Sequence, residues 1–490
     1  MILDRVDYVT EHKGASSRHG GHKMEIQKGT IAAIATALSD SGIGIIRISG
    51  DEAIRIADSV VRSKSGNSIV EYAESHSIQY GFVMDEKSNI VDEVMVSVFR
   101  APKSYTREDV VEINCHGGIL VTKRVLEVVL NAGARLAQPG EFTKRAFLNG
   151  RIDLVEAEAV MDLIQAKNDF AMKASTKQLR GDLSEKIRSL RERILYEIAF
   201  IESALDDPEH ISLEGYPERL CGICDEILAE LRKLIESAEN GRILSEGIST
   251  VILGKPNAGK SSLLNMILGQ ERAIVTDIAG TTRDTLEECV NLGGIQLNVI
   301  DTAGIRDTQD QVEKIGVERA KKQAEEADLI LYVVDTSVAL DENDKEILSL
   351  IGGKRTIFLM NKSDLEAKVS EEELLSLLGN VDVSKVTMIP TSAVLGEGLG
   401  ALEKEIEKLF FEGKIRQNDE LVITKLRHKQ ELQNALDALL LVKKSLEDQM
   451  PEDFYSIDLM QAYASLGNII GEEVGDDLVD EIFSKFCMGK

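Results

Sequence analysis

Gly254-Lys255-Pro256-Asn257-Ala258-Gly259-Lys260-Ser261 fits the pattern G-x-x-x-x-G-K-[ST], a loop chemistry suited to a polyphosphate. Its glycines let backbone N–H groups wrap an anion at a helix start, where the aligned peptide dipoles favour negative charge. Lys260 is placed to reach the β- and γ-phosphates and Ser261 to hold Mg²⁺, with Asn257, Ala258, Gly259 and Ser262 completing the cradle. Asn361-Lys362-Ser363-Asp364 adds a base reader, because the Asp364 carboxylate can accept from both N1–H and the 2-amino group of guanine. Adenine lacks that pair, and a buried carboxylate left unpaired rejects it. Asp301-Thr302-Ala303-Gly304 brings an aspartate toward Mg²⁺ and a glycine N–H toward the γ-phosphate, while Thr391-Ser392-Ala393, followed by Val394, fits a second base-contacting loop.

Hydrolysis needs an oriented water. Ras-like enzymes place a glutamine after the D-x-x-G segment, but here that residue is Ile305, which cannot do this work. Arg306, Asp307, Asp310 and Glu313 are the nearby polar candidates, and the residues themselves leave the choice open. The nucleotide-binding segment Thr276-Asp277-Ile278-Ala279-Gly280-Thr281-Thr282 offers Thr282 to Mg²⁺ and a set of carbonyls and hydroxyls without a carboxylate cage. Such a set suits a weakly hydrated monovalent cation better than a second divalent one. That cation would offset transition-state charge where other enzymes use an arginine finger, with Arg283 as the competing candidate.

These segments work only if strands present them at their ends. The apolar runs Thr250–Leu253, Leu297–Ile300, Thr356–Met360 and Val386–Ile389 each lead into one of them, as open α/β sheets require. The sequence therefore predicts an α/β P-loop GTPase domain of Ras-like fold over 246–412. Upstream, Leu183, Ile187, Leu190, Ile194, Ile198, Ile201 and Leu205 recur at steps of three or four, the stripe of a long packed helix. Leu432, Leu436 and Leu439 resume that spacing beyond the GTPase segment. One all-α central domain in two parts, 149–245 and 413–490, with the GTPase domain inserted, is the simplest arrangement. Gly44–Ile48 and Glu93–Phe99 read as strands of an α+β domain over 29–148, and residues 1–28 as a disordered extension.

The chain resembles the tRNA-modification GTPase family called MnmE or TrmE. The likeness rests on the nucleotide motifs, on Arg100–Asp109 with Glu112-Ile113-Asn114-Cys115-His116-Gly117-Gly118, on Pro139–Gly150, and on the ending Phe486-Cys487-Met488-Gly489-Lys490. By that resemblance K⁺ is held by Asn257, Thr276, Ile278 and Thr281 and promotes pairing of two GTPase domains in a homodimer, while Glu313 orients the water. Arg47, Glu112, Arg151 and Lys490 match positions that bind a reduced folate, 5-formyl- or methylene-tetrahydrofolate, in an N-terminal folate-binding and dimerisation domain. A carboxylate suits the N–H groups of a pterin and cations suit the glutamate tail. The resemblance further implies a flavoprotein partner, MnmG, and installation of an aminomethyl or carboxymethylaminomethyl group on the wobble uridine of certain tRNAs. A ribosome-assembly switch and a stand-alone folate aminomethyltransferase are the competing readings. Ala37-Leu38-Ser39-Asp40-Ser41-Gly42 departs from the family's Pro-Pro-Gly loop, which bears on folate affinity.

A net charge of −27, from 57 basic and 84 acidic residues, argues against a general nucleic-acid binder, so any tRNA contact is local or shared with a partner. Lys425-Leu426-Arg427-His428-Lys429 is either a small basic patch or a solvated helix face. Five scattered cysteines fit a reducing cytoplasm, with Cys221 and Cys224 as helix-packing residues. Cys487 is either a thiolate nucleophile or a residue packing a helix end, and His116 is either a base or, beside two glycines, a residue that caps or orients a turn. No apolar run approaches the length of a membrane span.

Overall fold

In a strand, alternate residues face opposite sides, so one short strand can serve two cores. Ile31–Ile34 (β1) does this: Ala32 joins a large core on one side, and Ile31 and Ala33 join a small one on the other. The computed structural model describes residues 29–270, 287–300, 322–348, 351, 354–377, 386–411 and 421–490. It divides into two compact units, one ending at Arg151 and taking in Gly475–Lys490, the other Ile152–Val474.

The first unit is built on a seven-stranded sheet of order β3-β4-β5-β6-β2-β1-β7. Its remaining strands are Ser41–Ser49 (β2), Val61–Arg62 (β3), Ser77–Met84 (β4), Ile90–Phe99 (β5), Val110–Gly117 (β6) and Arg135–Leu136 (β7). Helices Ala53–Val60 and Ile119–Asn131 bury one face, where Ile46, Ile48, Val111 and Ile113 lie. The opposite face therefore receives Arg47 and Glu112, which stand directly across from each other in the antiparallel β2–β6 pair. Phe142 joins Ile31, Ala33 and Ala137 in the small second core, with Tyr105 packed against it. The departure at Ala37–Gly42 is exposed and meets an irregularity of register between Ser41 and Gly44.

In the second unit, helices Leu154–Gln165, Asp182–Asp206, Tyr216–Glu246, Leu426–Glu447 and Glu452–Ile470 share one apolar core, drawn from both sides of the nucleotide-binding segment. The first opens with a capping box: Glu156 N–H donates to Asp153 Oδ1 at 3.0 Å and Asp153 N–H to Glu156 Oε2 at 2.8 Å. Of the expected stripe, Leu183, Ile187, Leu190, Ile194, Ile198 and Ile201 are buried, as are Leu432, Leu436 and Leu439. Leu205 is not; it lies in the last turn and is 46% exposed, and Ala204, three residues on from Ile201, is buried there instead. Cys224 sits in this core.

Gly247, with φ of +88°, turns the helix Tyr216–Glu246 directly into the second sheet. The strands are Ile248–Leu253 (β8), Glu287–Leu292 (β9), Ile295–Ile300 (β10), Leu329–Asp335 (β11), Thr356–Asn361 (β12) and Val386–Pro390 (β13), in the order β13-β12-β11-β8-β10-β9. All neighbours are parallel except β9 and β10. A parallel sheet covered on both sides explains the continuous apolar runs. Leu329, Leu331 and Val333 enter one core, and Ile330, Tyr332 and Val334 the other. The chain returns beside its point of entry: a Cβ on Gly241 would stand 2.0 Å from the Ile423 carbonyl oxygen, so only glycine lets the two segments touch. Among the described residues no helix is long and apolar enough to cross a membrane.

Candidate functional site

The phosphate loop joins β8 to the helix Lys260–Gln270. Gly254 (φ +144°) passes so close to β11 that a Cβ would meet the Val333 carbonyl oxygen at 2.4 Å, and one on Gly259 (φ +99°) would meet Asn361 Nδ2 at 2.1 Å. The cradle is thus pressed against its neighbours by residues without side chains. Lys260 Nζ donates to the Gly254 and Lys255 carbonyls at 2.7 and 2.8 Å, which holds the ammonium over the loop. Ser261 and Ser262 are exposed, and Asn257, also exposed, takes the left-handed conformation at φ +63°.

Asn361 ends β12 and is buried, so its amide must be satisfied internally. Its Nδ2 donates to the Ala258 carbonyl at 2.8 Å, and its Oδ1 accepts from Ala393 N–H at 3.3 Å. One side chain therefore joins the phosphate loop, the base-reading loop and the loop after β13. Ser392 Oγ donates to Asp364 Oδ1 at 2.6 Å and fixes a carboxylate that is itself exposed. Ser363 N–H donates to the Thr391 carbonyl at 3.1 Å. Val394 is 84% exposed beside them.

Two residues that motif reading passed over complete this surface. Asp335 closes β11 and its Oδ2 accepts from Lys362 Nζ at 2.5 Å. Burial raises the Asp335 pKa, but hydrogen bonds from Lys362 and Ser337 outweigh it and hold the carboxyl below its ordinary value. Thr336 donates to the Asn361 carbonyl through N–H and Oγ1, at 3.1 and 2.9 Å. The available signal was the polar Asp335-Thr336-Ser337 directly after a strand run.

Several expected residues lie outside the described ones: Thr276, Asp277, Ile278, Ala279, Gly280, Thr281 and Thr282; Asp301, Thr302, Ala303 and Gly304; Arg283, Ile305, Arg306, Asp307, Asp310 and Glu313. The extension 1–28 does too.

A second constellation lies in the first unit. Arg47 Nε donates to Glu112 Oε1 at 2.8 Å and Arg47 Nη1 to the Gly489 carbonyl at 3.0 Å. Gly489 (φ +94°) fits because a Cβ there would be 2.3 Å from the Ile34 carbonyl oxygen. The terminal segment is tied further by Phe142 N–H to the Lys490 carbonyl at 3.2 Å and Gly140 N–H to the Cys487 carbonyl at 3.3 Å. The Tyr105 ring faces two guanidiniums, Arg47 at 5.5 Å and Arg151 at 4.8 Å, and its hydroxyl bonds Thr143 Oγ1 at 2.9 Å. Arg47, Glu112, Arg151 and the tail bearing Lys490 therefore gather around one aromatic ring. Tyr105, which faces both arginines, and Phe142, whose ring lies 5.7 Å from the Arg47 guanidinium, carried no spacing signal of their own. Burial, then the Arg47 charge, holds the Lys490 amine below the usual lysine range, while Glu112 pulls it up. Beside this cluster opens a cleft of about 570 Å³ lined by Pro102, Lys103, Tyr105, Arg107 and Arg151. An anion with a planar hydrogen-bonding head fits these groups.

Three smaller readings are decided by position. Cys487 has an exposed side chain and does not pack the helix end. His116 pairs with Asp92, with Nδ1 2.7 Å from Oδ1, and that carboxylate raises its pKa. The Lys425–Lys429 stretch is neither a basic patch nor a solvated face: His428 is fully buried, Arg427 binds Glu158, and Lys425 pairs with Asp162.

Comparison with known proteins agrees with this architecture. A family described as the MnmE helical domain matches residues 154–487, and one described as the GTP-binding protein TrmE N-terminus matches 30–151. A tRNA modification GTPase MnmE from Lachnoclostridium phytofermentans is 56% identical over 461 residues, spanning 94% of this chain and 99% of the relative. Relatives of the same description from Clostridioides difficile and Carboxydothermus hydrogenoformans are 49% and 48% identical, each spanning 94% of this chain and 99% of its own length. With two folded units matched end to end and the nucleotide loops seated at parallel strand ends, the chain belongs to the MnmE (TrmE) family of tRNA modification GTPases.

Proposed function

We propose that this family member, a GTP hydrolase acting in tRNA modification, is potassium-stimulated and works with the flavoprotein MnmG on the wobble uridine of certain tRNAs. Together they install an aminomethyl or carboxymethylaminomethyl group at C5, using a one-carbon unit from a reduced folate. The observation that carries the reading is the meeting of a phosphate-cradling loop and a guanine-reading loop at Asn361. Lys260 would leave its two carbonyl partners for β- and γ-phosphate oxygens. Ser261, with Thr282, would hold Mg²⁺. Asn257, with Thr276, Ile278 and Thr281, would hold K⁺, and Glu313 would orient the water. Hydrolysis would open and close a homodimer rather than make the new bond. A cytoplasmic location belongs to the same reading, supported by five free cysteines.

The test is turnover in potassium against sodium buffers at equal ionic strength. Turnover in K⁺ is expected to exceed that in Na⁺ at least tenfold, and Glu313→Ala should lower kcat by about a hundredfold, a typical loss for a positioned base. Nucleotide Kd should stay within about twofold, since Glu313 would act on water rather than on bound GTP. Equal rates in the two salts would reject the cation assignment, and unchanged turnover in Glu313→Ala would reject that residue.

Arg47, Glu112, Arg151 and Lys490 would form the folate site, where the bound folate supplies the carbon at its reactive nitrogen. The Arg47–Glu112 pair would hold the pterin, and the remaining cations the glutamate tail. Equilibrium dialysis with 5-formyl-tetrahydrofolate is expected to show at least about a tenfold weaker Kd for Arg47→Met, as when one partner of a buried charge pair is removed. An unaltered Kd would move the folate elsewhere.

A further inference from the structure

We infer that Lys255 is a positioning residue of the phosphate loop, and that its anchorage to Asp344 and Asp341 keeps the phosphate half of the nucleotide site in register with the base half. Lys255 occupies an unspecified position of the loop pattern, so the motif assigns it nothing. Its ammonium lies 2.7 Å from Asp344 Oδ2 and 3.2 Å from Asp341 Oδ2, and Asp344 is only 2% exposed. Its carbonyl, at the other end of the residue, accepts from Lys260 Nζ at 2.8 Å. The residue that receives the Lys260 ammonium is thus itself held through its side chain.

The carboxylates that hold it are themselves hydrogen-bonded to backbone N–H groups. Asp341 N–H donates to Asp344 Oδ2 at 2.8 Å, while Asp341 Oδ1 accepts from the N–H groups of Asn343 and Asp344 at 3.0 and 3.3 Å, a reciprocal cap on the short helix Glu342–Leu348. The segment leading to that cap begins at Asp335 and Thr336, which bind Lys362 and the Asn361 carbonyl. Asn361 Nδ2 returns to the Ala258 carbonyl and closes the circuit. Phosphate loop, capped segment and base-reading loop therefore form one ring of contacts. Cutting it at Lys255 strands a buried carboxylate and frees the loop to shift. Burial lowers the Lys255 pKa, but the hydrogen bonds to Asp344 and Asp341 outweigh it and keep the ammonium charged.

The experiment compares full-length Lys255→Met, Asp344→Asn, the double variant and Lys255→Arg. Kd values for GDP and for guanosine are read by competition against a fluorescent GDP. Expected are a GDP Kd raised about tenfold in each single variant, equivalent to about 1.4 kcal/mol, and guanosine binding within about twofold of the original. The double variant should be no weaker than the worse single one by more than about twofold, because the two residues act as one unit. Lys255→Arg should recover GDP binding to within about threefold, since a guanidinium can also pair with carboxylates. A general distortion would weaken guanosine and GDP alike, and that result overturns the inference, as does a GDP Kd that moves less than about twofold. If Asp344→Asn does not fold, the contrast between Lys255→Met and Lys255→Arg decides the matter.

Discussion

Asp364→Asn is expected to weaken GTP binding by about a thousandfold, or about 4 kcal/mol, and to turn the site toward xanthosine triphosphate. Guanine offers two donors to the carboxylate. The asparagine amide faces them with one acceptor and one NH₂ group, so a donor opposes a donor. Xanthine carries a carbonyl where guanine has its 2-amino group, and that carbonyl accepts from the new NH₂. The exchange is local because Ser392 Oγ, which donates to Asp364 Oδ1 at 2.6 Å, can donate equally to an amide oxygen. Competition of GTP and xanthosine triphosphate against a fluorescent nucleotide measures the switch. Loss of both affinities would mean that Asp364 shapes the loop instead of reading the base.

Glu158→Gln should destabilise the helical unit by about 3–5 kcal/mol, the usual cost of breaking a buried charge pair from one side. Arg427 donates to both Glu158 oxygens, from Nε at 3.3 Å and Nη2 at 2.9 Å, and His428 Nε2 lies 2.9 Å from Oε2. Arg427 also donates to the Asn468 and Ile469 carbonyls at 2.7 and 3.1 Å, capping the helix Glu452–Ile470. Removing the carboxylate charge leaves a half-buried guanidinium without its counter-ion. Calorimetry should find the corresponding transition lowered by on the order of 10 °C. A shift of less than about 2 °C would show that water takes over the carboxylate's part.

The same cluster sets an acid limit. Burial raises the Glu158 pKa, but His428 and Arg427 overcome this and hold it at about 2, below the ordinary 4.5. A carboxyl depressed in the fold stabilises it above the unfolded value, and that contribution is lost as pH falls from 4.5 toward about 2. His428 is pulled below 6.5, chiefly by burial, so its contribution begins to fade earlier, as pH drops under 6.5. Asp162, raised above 3.8 by burial, acts with the opposite sign just above 3.8. A pH series on Glu158→Gln should therefore flatten the acid side of the stability curve below 4.5.

Local pattern sufficed where one short segment carries its own physics. Gly254–Ser261 and Asn361–Asp364 were legible because phosphate wrapping and guanine reading need particular residues at fixed offsets, and the buried strand runs placed them at sheet ends. The helical stripe from Leu183 to Ile201 was legible for the same reason, since a helix repeats every 3.6 residues whatever it packs against. Leu205 escaped because the last turn buries Ala204 in its place, a choice between a step of three and a step of four that spacing alone does not make.

Only the tertiary structure decided what long-range partners do. Nothing in Lys425–Lys429 announces that Glu158 and Asp162, far upstream, wait to pair with Arg427 and Lys425, or that His428 between them is fully buried. Asp335 and Asp344 are ordinary charged residues until the parallel order β12-β11-β8 brings Asp335 to Lys362 of the base-reading loop and Asp344 to Lys255 of the phosphate loop. Likewise Arg47 meets Tyr105 and the Gly489 carbonyl, and Arg151 meets the same ring, only in the folded chain. Sequence fixes the chemistry a segment can perform, whereas the pairing of strands and the packing of helices choose its partners, because contact between distant residues is a property of the folded chain alone.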